Sequence, residues 1–391
     1  MKKLLAILMA ACMIFALAAC GGGSDSTVIK IGGIGPITGD AAIYGQAVEN
    51  GAKIAIDEIN ALEGDLKFEF KMEDDEHDAE KSVNAYNSLK DWGMQILMGT
   101  VTTSPCIAVS TESNADKIFT LTPSASSTDV LGGFPDEKGN ITIPRKENVF
   151  QLCFTDPNQG TASAQYISEQ KLGEKIAVIY NSADAYSTGI YNKFIAKAEE
   201  LNLNIVSVTS FSDDKTIDFK AQLNDAKKKG ADLIFMPIYY TPASVILAQA
   251  AEMKYNVKFF GVDGLDGLLT IENFDTSLAE GVMLLTPFTA DAEDEKTQNF
   301  VKKYKDAYGT VPSQFAANAY DCIYAIYEAC KAEGVTASMS AEEVCEKLTA
   351  AFAGDFTFDG ITGLNMEWDT TGAVSKAPKG MVIENGVYVG M

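Results

Sequence analysis

Histidine is almost missing from this chain: His77 is the only one in 391 residues. Zinc sites built on imidazole, and catalytic triads that need one, therefore have almost no material. Basic residues are scarce too, with 31 Lys and Arg against 54 Asp and Glu and a formal net charge of −23. Removal of a leader carrying Lys2 and Lys3 takes that charge to −25. So acidic a surface disfavours nucleic acid and anionic lipid, and no basic patch reverses it. The cysteines beyond residue 20 (Cys106, Cys153, Cys322, Cys330 and Cys345) show no CxxC spacing and no companion histidines. Cys322 and Cys330 fall in one expected helix, roughly 12 Å apart, too far to bridge. Buried free thiols are expected. His77 lies in the acidic run Glu73-Asp74-Asp75-Glu76-His77-Asp78, which reads as a solvated strand end and helix cap, with a hard-cation site as the alternative. No GxxxxGK[ST] loop, GxSxG elbow or HExxH helix is present. Carboxylates are abundant, but no pair stands out as a glycosidase couple. Neither an enzyme nor a metal or cofactor is expected.

What is present is a globular composition, 47% hydrophobic and 22% charged, in a chain long enough for two domains. The first twenty residues stand apart from it. Lys2 and Lys3 form a positive start, and residues 4–16 are an apolar run of signal-peptide length, too short to span a bilayer. Leu17-Ala18-Ala19-Cys20 resembles the bacterial lipoprotein cleavage box, in which the cysteine becomes the lipidated first residue. The expectation is a leader over 1–20, a lipid on Cys20 and a flexible tether over 21–27 (GGGSDST). An ordinary secretory leader is the alternative. No later stretch is apolar and long enough to span a membrane.

Residues 96–126 organise the rest. They read as a buried strand (96–98), a hydroxyl-rich turn (Thr100, Thr102, Thr103, Ser104), a helix (105–114), a second buried strand (118–121) and a second hydroxyl-rich turn, Thr122-Pro123-Ser124-Ala125-Ser126. The alternation extends both ways. Strands are expected at 28–34, 68–72 and 149–154, and helices at 41–60, capped by Asp40, and at 79–92. After a break at 155–160 a second series follows, with strands at 175–180, 205–208, 232–236, 257–262 and 282–285. Its helices are expected at 187–201, 216–229 and 243–254, followed by helices at 293–308, 315–333 and 341–353. Strands alternating with helices mean βαβ units and parallel sheets. The tail reads differently: 357–368 and 380–389 look antiparallel, with Asn385-Gly386 as a hairpin turn. The whole α/β block thus occurs twice, before and after about residue 154, and a cleft between two such blocks suits a small ligand.

Ligands of open parallel sheets sit beyond the carboxyl ends of the strands. Both hydroxyl turns fall there, next to helix starts whose free N–H groups can cradle a carboxylate. Capping and turn closure are the other use of these residues. Gly33-Ile34-Gly35-Pro36-Ile37-Thr38-Gly39 also joins a strand to a helix, but its spacing is GxGxxxG and Pro36 removes a backbone donor, so it is not a dinucleotide fingerprint. Asp263 follows a buried strand within Phe259-Phe260-Gly261-Val262-Asp263-Gly264. Across a cleft from the hydroxyl turns it can accept an ammonium group. Donors at one end and an anion at the other are what a zwitterion needs, because either charge buried unpaired is costly. Tyr186 and the pair Tyr239-Tyr240 stand at equivalent strand-to-helix junctions as amphipathic walls, or as ordinary rim packing.

Six segments now occur in one order: Gly35-Pro36-Ile37-Thr38-Gly39 with Tyr44-Gly45, Gly99…Thr103, Thr122-Pro123-Ser124-Ala125-Ser126, Asp156…Gln159-Gly160, Tyr186…Gly189 and Gly261-Val262-Asp263-Gly264. From about Val28 to Tyr388 the chain resembles the leucine/isoleucine/valine-type substrate-binding proteins of ABC importers. The resemblance implies a type I periplasmic-binding-protein fold, α/β, with two doubly wound parallel-sheet lobes joined by three crossover segments around a ligand cleft. Lobe 1 would be 28–153 plus 288–360, and lobe 2 would be 156–286 plus 361–391. The crossovers would lie near 153–157, 287–289 and 359–363. It places the carboxylate-binding hydroxyl on Thr103, with the Ser124 backbone and Ser126 hydroxyl beside it. The ammonium acid falls on Asp263 and the cleft tyrosines on Tyr44, Tyr186 and Tyr240. Asp263 stands where branched-chain members carry the longer Glu, and Phe154 where Arg is frequent, which leaves the side-chain preference open. The implied protein is a monomeric, lipid-anchored, extracytoplasmic receptor. It would capture a free amino acid, branched-chain or otherwise aliphatic, by hinge closure and hand it to a permease with cytoplasmic ATPases. An amide, another small carboxylate or a sensory role is the alternative.

Overall fold

The computed structural model describes residues 27–135 and 138–391. The expected leader, the lipidation site Cys20 and all but the last residue of the tether lie outside the described residues. The first sheet is wholly parallel, in the order β2-β1-β3-β4-β5. Its strands are β1 (Ile29–Gly35), β2 (Phe68–Asp74), β3 (Ile96–Gly99), β4 (Phe119–Thr122) and β5 (Val149–Gln151). The second sheet has the order β14-β13-β10-β9-β8-β6-β7. It comprises β6 (Ile176–Asn181), β7 (Ile205–Phe211), β8 (Leu233–Met236), β9 (Lys258–Gly261), β10 (Met283–Thr286), β13 (Lys379–Glu384) and β14 (Val387–Gly390). Strands β6 to β10 are parallel, and β13 and β14 add an antiparallel edge. Asn385 and Gly386 turn that edge with φ of 53° and 74°, the left-handed pair a two-residue hairpin needs.

Helices fill the connections: α1 (Ala42–Ala61), α2 (Ala79–Trp92), α3 (Thr103–Ala115), α4 (Thr128–Leu131), α5 (Asp156–Glu169), α6 (Ala185–Glu200), α7 (Lys220–Lys229) and α8 (Tyr240–Glu252). After the second sheet come α9 (Glu295–Tyr308), α10 (Gln314–Ala332) and α11 (Ala341–Phe352). Local chemistry sets several ends. Asp78 caps α2 by accepting the Lys81 N–H, and Ser340 with Glu343 forms a full capping box on α11. The strands β3, β4, β8 and β10 are buried throughout, as expected for sheets covered on both faces. No helix among the described residues is long and apolar enough to cross a membrane.

The structure corrects the sequence reading in four places. Asp40 does not cap α1: Ala41 is the cap residue and bonds through no side chain. The Ile43 N–H is instead given to the Tyr240 hydroxyl from the second sheet's side. The break expected at 155–160 is helix α5. Thr155 caps it and Pro157 sits in the first turn, where its missing N–H costs nothing. Gly160 is there for space, since a Cβ on it would lie 2.3 Å from the Ile190 carbonyl of α6. The strand expected over 149–154 pairs only through Gln151, after which the chain leaves for the second sheet. Finally, residues 361–375, expected on the second lobe, lie on the first. The pair β11 (Thr357–Phe358) and β12 (Met366–Glu367) is antiparallel. Trp368 Nε1 donates to the Gln151 carbonyl, and the Gln151 N–H donates to Gly372. Trp368 also packs on Phe352, with ring centres 4.5 Å apart. The third crossing is therefore at 376–378, not 359–363.

The five cysteines beyond residue 20 are buried and unpaired. Among the described residues no group of His, Cys, Asp and Glu is arranged to hold a metal ion. His77 Nδ1 pairs with Thr102 Oγ1 at 2.9 Å, and its Nε2 lies 4.0 Å from Asp214 of the second lobe. The residue that reads as a strand-end cap thus bridges the cleft mouth.

Candidate functional site

The first wall of the cleft forms where β3 and β4 end. Thr102 caps α3 with extended backbone but spends its hydroxyl on His77, not on the helix. The Thr103 and Ser104 N–H groups open the helix, and helix geometry gives them no internal acceptor. Thr103 is 1% exposed, and its hydroxyl has no hydrogen-bond partner among the described residues. The second turn is braced against the first: Thr122 Oγ1 donates to the Thr100 carbonyl at 2.6 Å, and Ser124 Oγ to the Val101 carbonyl at 2.6 Å. The Ser124 hydroxyl is thereby used internally. Ser126 is fully buried and set back from the cavity, with its hydroxyl beside the Asp156 carboxyl and its carbonyl accepting the Asp156 N–H at 2.9 Å.

The opposite wall belongs to the second sheet. Asp263 follows β9 in a short 3-10 turn, Asp263–Leu265. Tyr186 Oη donates to Asp263 Oδ1 at 2.6 Å and Gln159 Nε2 to Oδ2 at 3.0 Å. Burial pushes the Asp263 carboxyl up to about 6 against the pull of these two donors. The Gly264 N–H reaches the Tyr186 oxygen at 3.0 Å, and a Cβ on Gly264 would lie 2.6 Å from that oxygen and from the Ile238 carbonyl. Only glycine fits this approach.

The two walls touch. Tyr44 of α1 donates to the Gly264 carbonyl at 2.6 Å and accepts the Tyr240 N–H at 3.2 Å. Thr241 Oγ1 donates to the Asp40 carbonyl, and the Gln314 N–H to Asp266 Oδ2. Between the walls lies a narrow pocket whose non-atom space, open solvent included, is about 230 Å³. Tyr44, residues 101–103, Ser124 and Phe315 line it from the first lobe, and Tyr186, Tyr239, Asp263 and Gly264 from the second.

Five of the seven expected ligand residues therefore line one cavity: Tyr44, Thr103, Ser124, Tyr186 and Asp263. Ser126 lies behind it. Tyr240 turns its hydroxyl to the start of α1, and its neighbour Tyr239 takes the wall instead, stacked on Tyr186 at 4.8 Å and 7°. The resemblance assigns the cleft position to Tyr240, whereas in the structure it is Tyr239 that lines the cavity. Phe315, 4.4 Å from Tyr44 between ring centres, carries no signal in the sequence. Gln159, which orients Asp263, stands in the Asp156…Gln159-Gly160 segment that the resemblance includes without assigning it a role.

The chain matches the family model described as periplasmic binding protein over residues 28–378. It is 28% identical to the Leu/Ile/Val-binding protein BraC3 of Rhizobium johnstonii over 82% of this chain and 83% of that protein. It is 25% identical to the leucine-, isoleucine-, valine-, threonine- and alanine-binding protein of Pseudomonas aeruginosa, over 88% of this chain and 86% of that one. Among solved structures it superposes on the leucine-binding protein of Thermotoga maritima with a TM-score of 0.80 and 25% identity, covering 93% and 97% of the two chains. A branched-chain amino acid transporter substrate-binding protein of Streptococcus pneumoniae, in complex with isoleucine, gives 0.80 and 26% over 92% and 97%. With its paired α/β lobes and a cleft lined from both, the chain belongs to the periplasmic binding protein family, whose members bind substrates for transport.

Proposed function

We propose that the cleft captures one free amino acid with a small or branched aliphatic side chain and that closure of the lobes delivers it to an ABC permease. The observation that carries this reading is that the buried start of α3 at Thr103 and the buried carboxylate of Asp263 line the same pocket from opposite lobes. The helix start would take the carboxylate of a zwitterion and Asp263 its ammonium. Tyr44, Tyr186, Tyr239 and Phe315 would enclose the side chain. The low dielectric of a closed, dry cleft strengthens both charge contacts. The relatives named for leucine, isoleucine and valine support an aliphatic ligand. A protein of the same fold from Rhodopseudomonas palustris is in complex with benzoate, and a carboxylate without an amino group remains the second reading.

Extracytoplasmic work is what the family does, and we propose that Cys20 ties this member to the membrane as a lipidated monomer. The deciding experiment is a thermal-shift screen of the purified protein against the twenty amino acids, simple amides and carboxylic acids. A compound at a hundred times its Kd adds about 2.7 kcal/mol of stability. Stabilisation by aliphatic amino acids is the expected result. Stabilisation by des-amino acids alone would keep the donor wall and remove Asp263 from its role.

A further inference from the structure

The turn that follows β9 separates the amino-acid cleft from a second, wider groove between the lobes: Asp263 and Gly264 line the cleft, Asp266 and Gly267 the groove. The groove's non-atom space, open solvent included, is about 2040 Å³. The first lobe contributes α1, the end of α9 and residues 309–313, and the second lobe residues 266–270 and the edge strands β13 and β14. Tyr308, Val311 and Val387 border it while 36%, 48% and 51% exposed. Scattered apolar side chains on a surface are ordinary, but three around one groove, drawn from both lobes, are the pattern of a binding surface. The interior is polar. Asp266 is 7% exposed; its Oδ2 accepts the Gln314 N–H at 2.8 Å, and its other oxygen accepts no hydrogen bond among the described residues. Burial, with Asp263 nearby, pushes its carboxyl up to about 7 against the pull of the Gln314 bond. The N-terminus of α10 favours negative charge there but supplies a donor to one oxygen only. The Ser313 hydroxyl, on the same wall, is buried and without a hydrogen-bond partner among the described residues. The other charged side chains lining the groove, Asp291 and Lys305, are exposed, where water screens them.

A buried carboxylate with an open acceptor is costly unless a cation or a donor reaches it, and apolar lips call for an apolar body. An organic amine supplies both. We infer that this groove is a second ligand site, for an amine whose ammonium pairs with Asp266 and the Ser313 hydroxyl and whose body lies against Tyr308, Val311 and Val387. Tyr388 adds an aromatic wall beside the acid, its hydroxyl held by the Leu265 carbonyl and the Gly267 N–H at 3.2 Å each. A ligand held by both lobes favours their closed arrangement, so amine and amino acid strengthen each other's binding. The two sites share a wall: the Asp266 N–H donates to the Asp263 carbonyl at 2.9 Å, and Gln314 Nε2 reaches the same carbonyl at 3.4 Å. The site stands without the amino-acid reading above; only the coupling rests on it.

The test is calorimetry with 2-phenylethylamine, and with 2-phenylethanol as its uncharged counterpart, on the wild type and two variants. The amine should bind at one site, and the alcohol at least about tenfold more weakly. Asp266→Asn keeps an acceptor for the Gln314 N–H and should weaken the amine at least about tenfold while shifting the alcohol less than about twofold. Asp263→Ala, which removes the acid of the cleft, should change the amine Kd less than about threefold. With the amine saturating, the amino acid that stabilises the wild type most among the twenty should bind more tightly. Equal affinity for amine and alcohol, no binding of the amine up to about 10 mM, or a loss in Asp263→Ala that Asp266→Asn does not share would overturn the second site. An amino-acid Kd indifferent to bound amine would overturn the coupling. A wild type that binds the amine in this pattern but none of the twenty amino acids refutes the receptor reading and leaves the second site standing. If Asp266→Asn does not fold, Val387→Lys on the edge strand places a repelling cation at the lip and should weaken the amine more than the alcohol.

Discussion

Tyr186 Oη lies 2.6 Å from Asp263 Oδ1 and, through the same oxygen, 3.0 Å from the Gly264 N–H. The tyrosine thus fixes both the acid and the backbone that follows it, and its ring stacks on Tyr239 to make one wall of the cleft. Asp263 is therefore held in place before any ligand arrives. Asp263→Ala should abolish amino-acid binding in calorimetry. It also strands the Tyr186 hydroxyl and the Gln159 amide, so a loss of about 1–3 kcal/mol of stability is expected, with the fold retained by circular dichroism. Unchanged affinity would refute the assignment of Asp263.

Thr103 makes the opposite case, because its hydroxyl bonds nothing among the described residues. Thr103→Val should leave the melting temperature of the empty protein nearly unchanged. Binding should weaken by roughly 1–3 kcal/mol, the cost of leaving a buried carboxylate oxygen without its partner. A variant that loses stability but not affinity would reduce Thr103 to a turn residue.

Much of this was legible because alternation of buried strands and amphipathic helices survives in the sequence of both sheets, and because the hairpin at Asn385-Gly386 has an unambiguous turn signal. Helix α5 was not legible: Pro157 and Gly160 look like breakers until the position of one in the first turn and the backbone of α6 against the other are known. The start of α1 was misread for a related reason. Its partner is Tyr240, 197 positions away, and no local pattern encodes it. The same holds for residues 361–375, which Trp368 and Gly372 fasten to β5. At the site, residue types at strand ends were readable, while the choice of Tyr239 over Tyr240 depends on how α8 is rotated.

The close passage of α5 and α6 gives a test of packing alone. In Gly160→Ala the new methyl would meet the Ile190 carbonyl at 2.3 Å and the Phe194 N at 2.8 Å, backbone atoms that cannot swing aside. Overpacking of this kind costs about 1–3 kcal/mol. Urea denaturation should show that loss, and α5 should shift enough to weaken amino-acid binding through Gln159.

The proposed anchor is tested apart from binding. Cys20→Ala should move the protein from the membrane fraction to the soluble fraction of cells or medium, with amino-acid affinity unchanged. Retention of the variant in the membrane fraction would refute lipidation at that residue.

Acid titration should separate stability from function. Burial raises Asp75 and Asp263 to about 6, and Asp184 and Asp266 to about 7, against about 3.9 in an unfolded chain. Between those limits the folded protein binds more protons than the unfolded one. Its stability therefore rises as pH falls from about 7 toward 5, and is lost again as pH climbs through the folded values. His77 and Lys376 work the other way, since burial lowers both and favours their neutral forms when folded. Lys376, however, titrates at about 8, and the raised carboxyls, Asp214 and Asp321 among them, outnumber the two. The empty protein should thus resist urea better at pH 5.5 than at pH 7.5. Ammonium binding needs Asp263 charged, so amino-acid affinity should fall as pH drops below about 6, approaching tenfold per pH unit. Calorimetry and urea denaturation across pH 5 to 8 would show the two trends with opposite sign. Affinity that follows stability upward on acidification would mean that the ammonium is not held by a carboxylate.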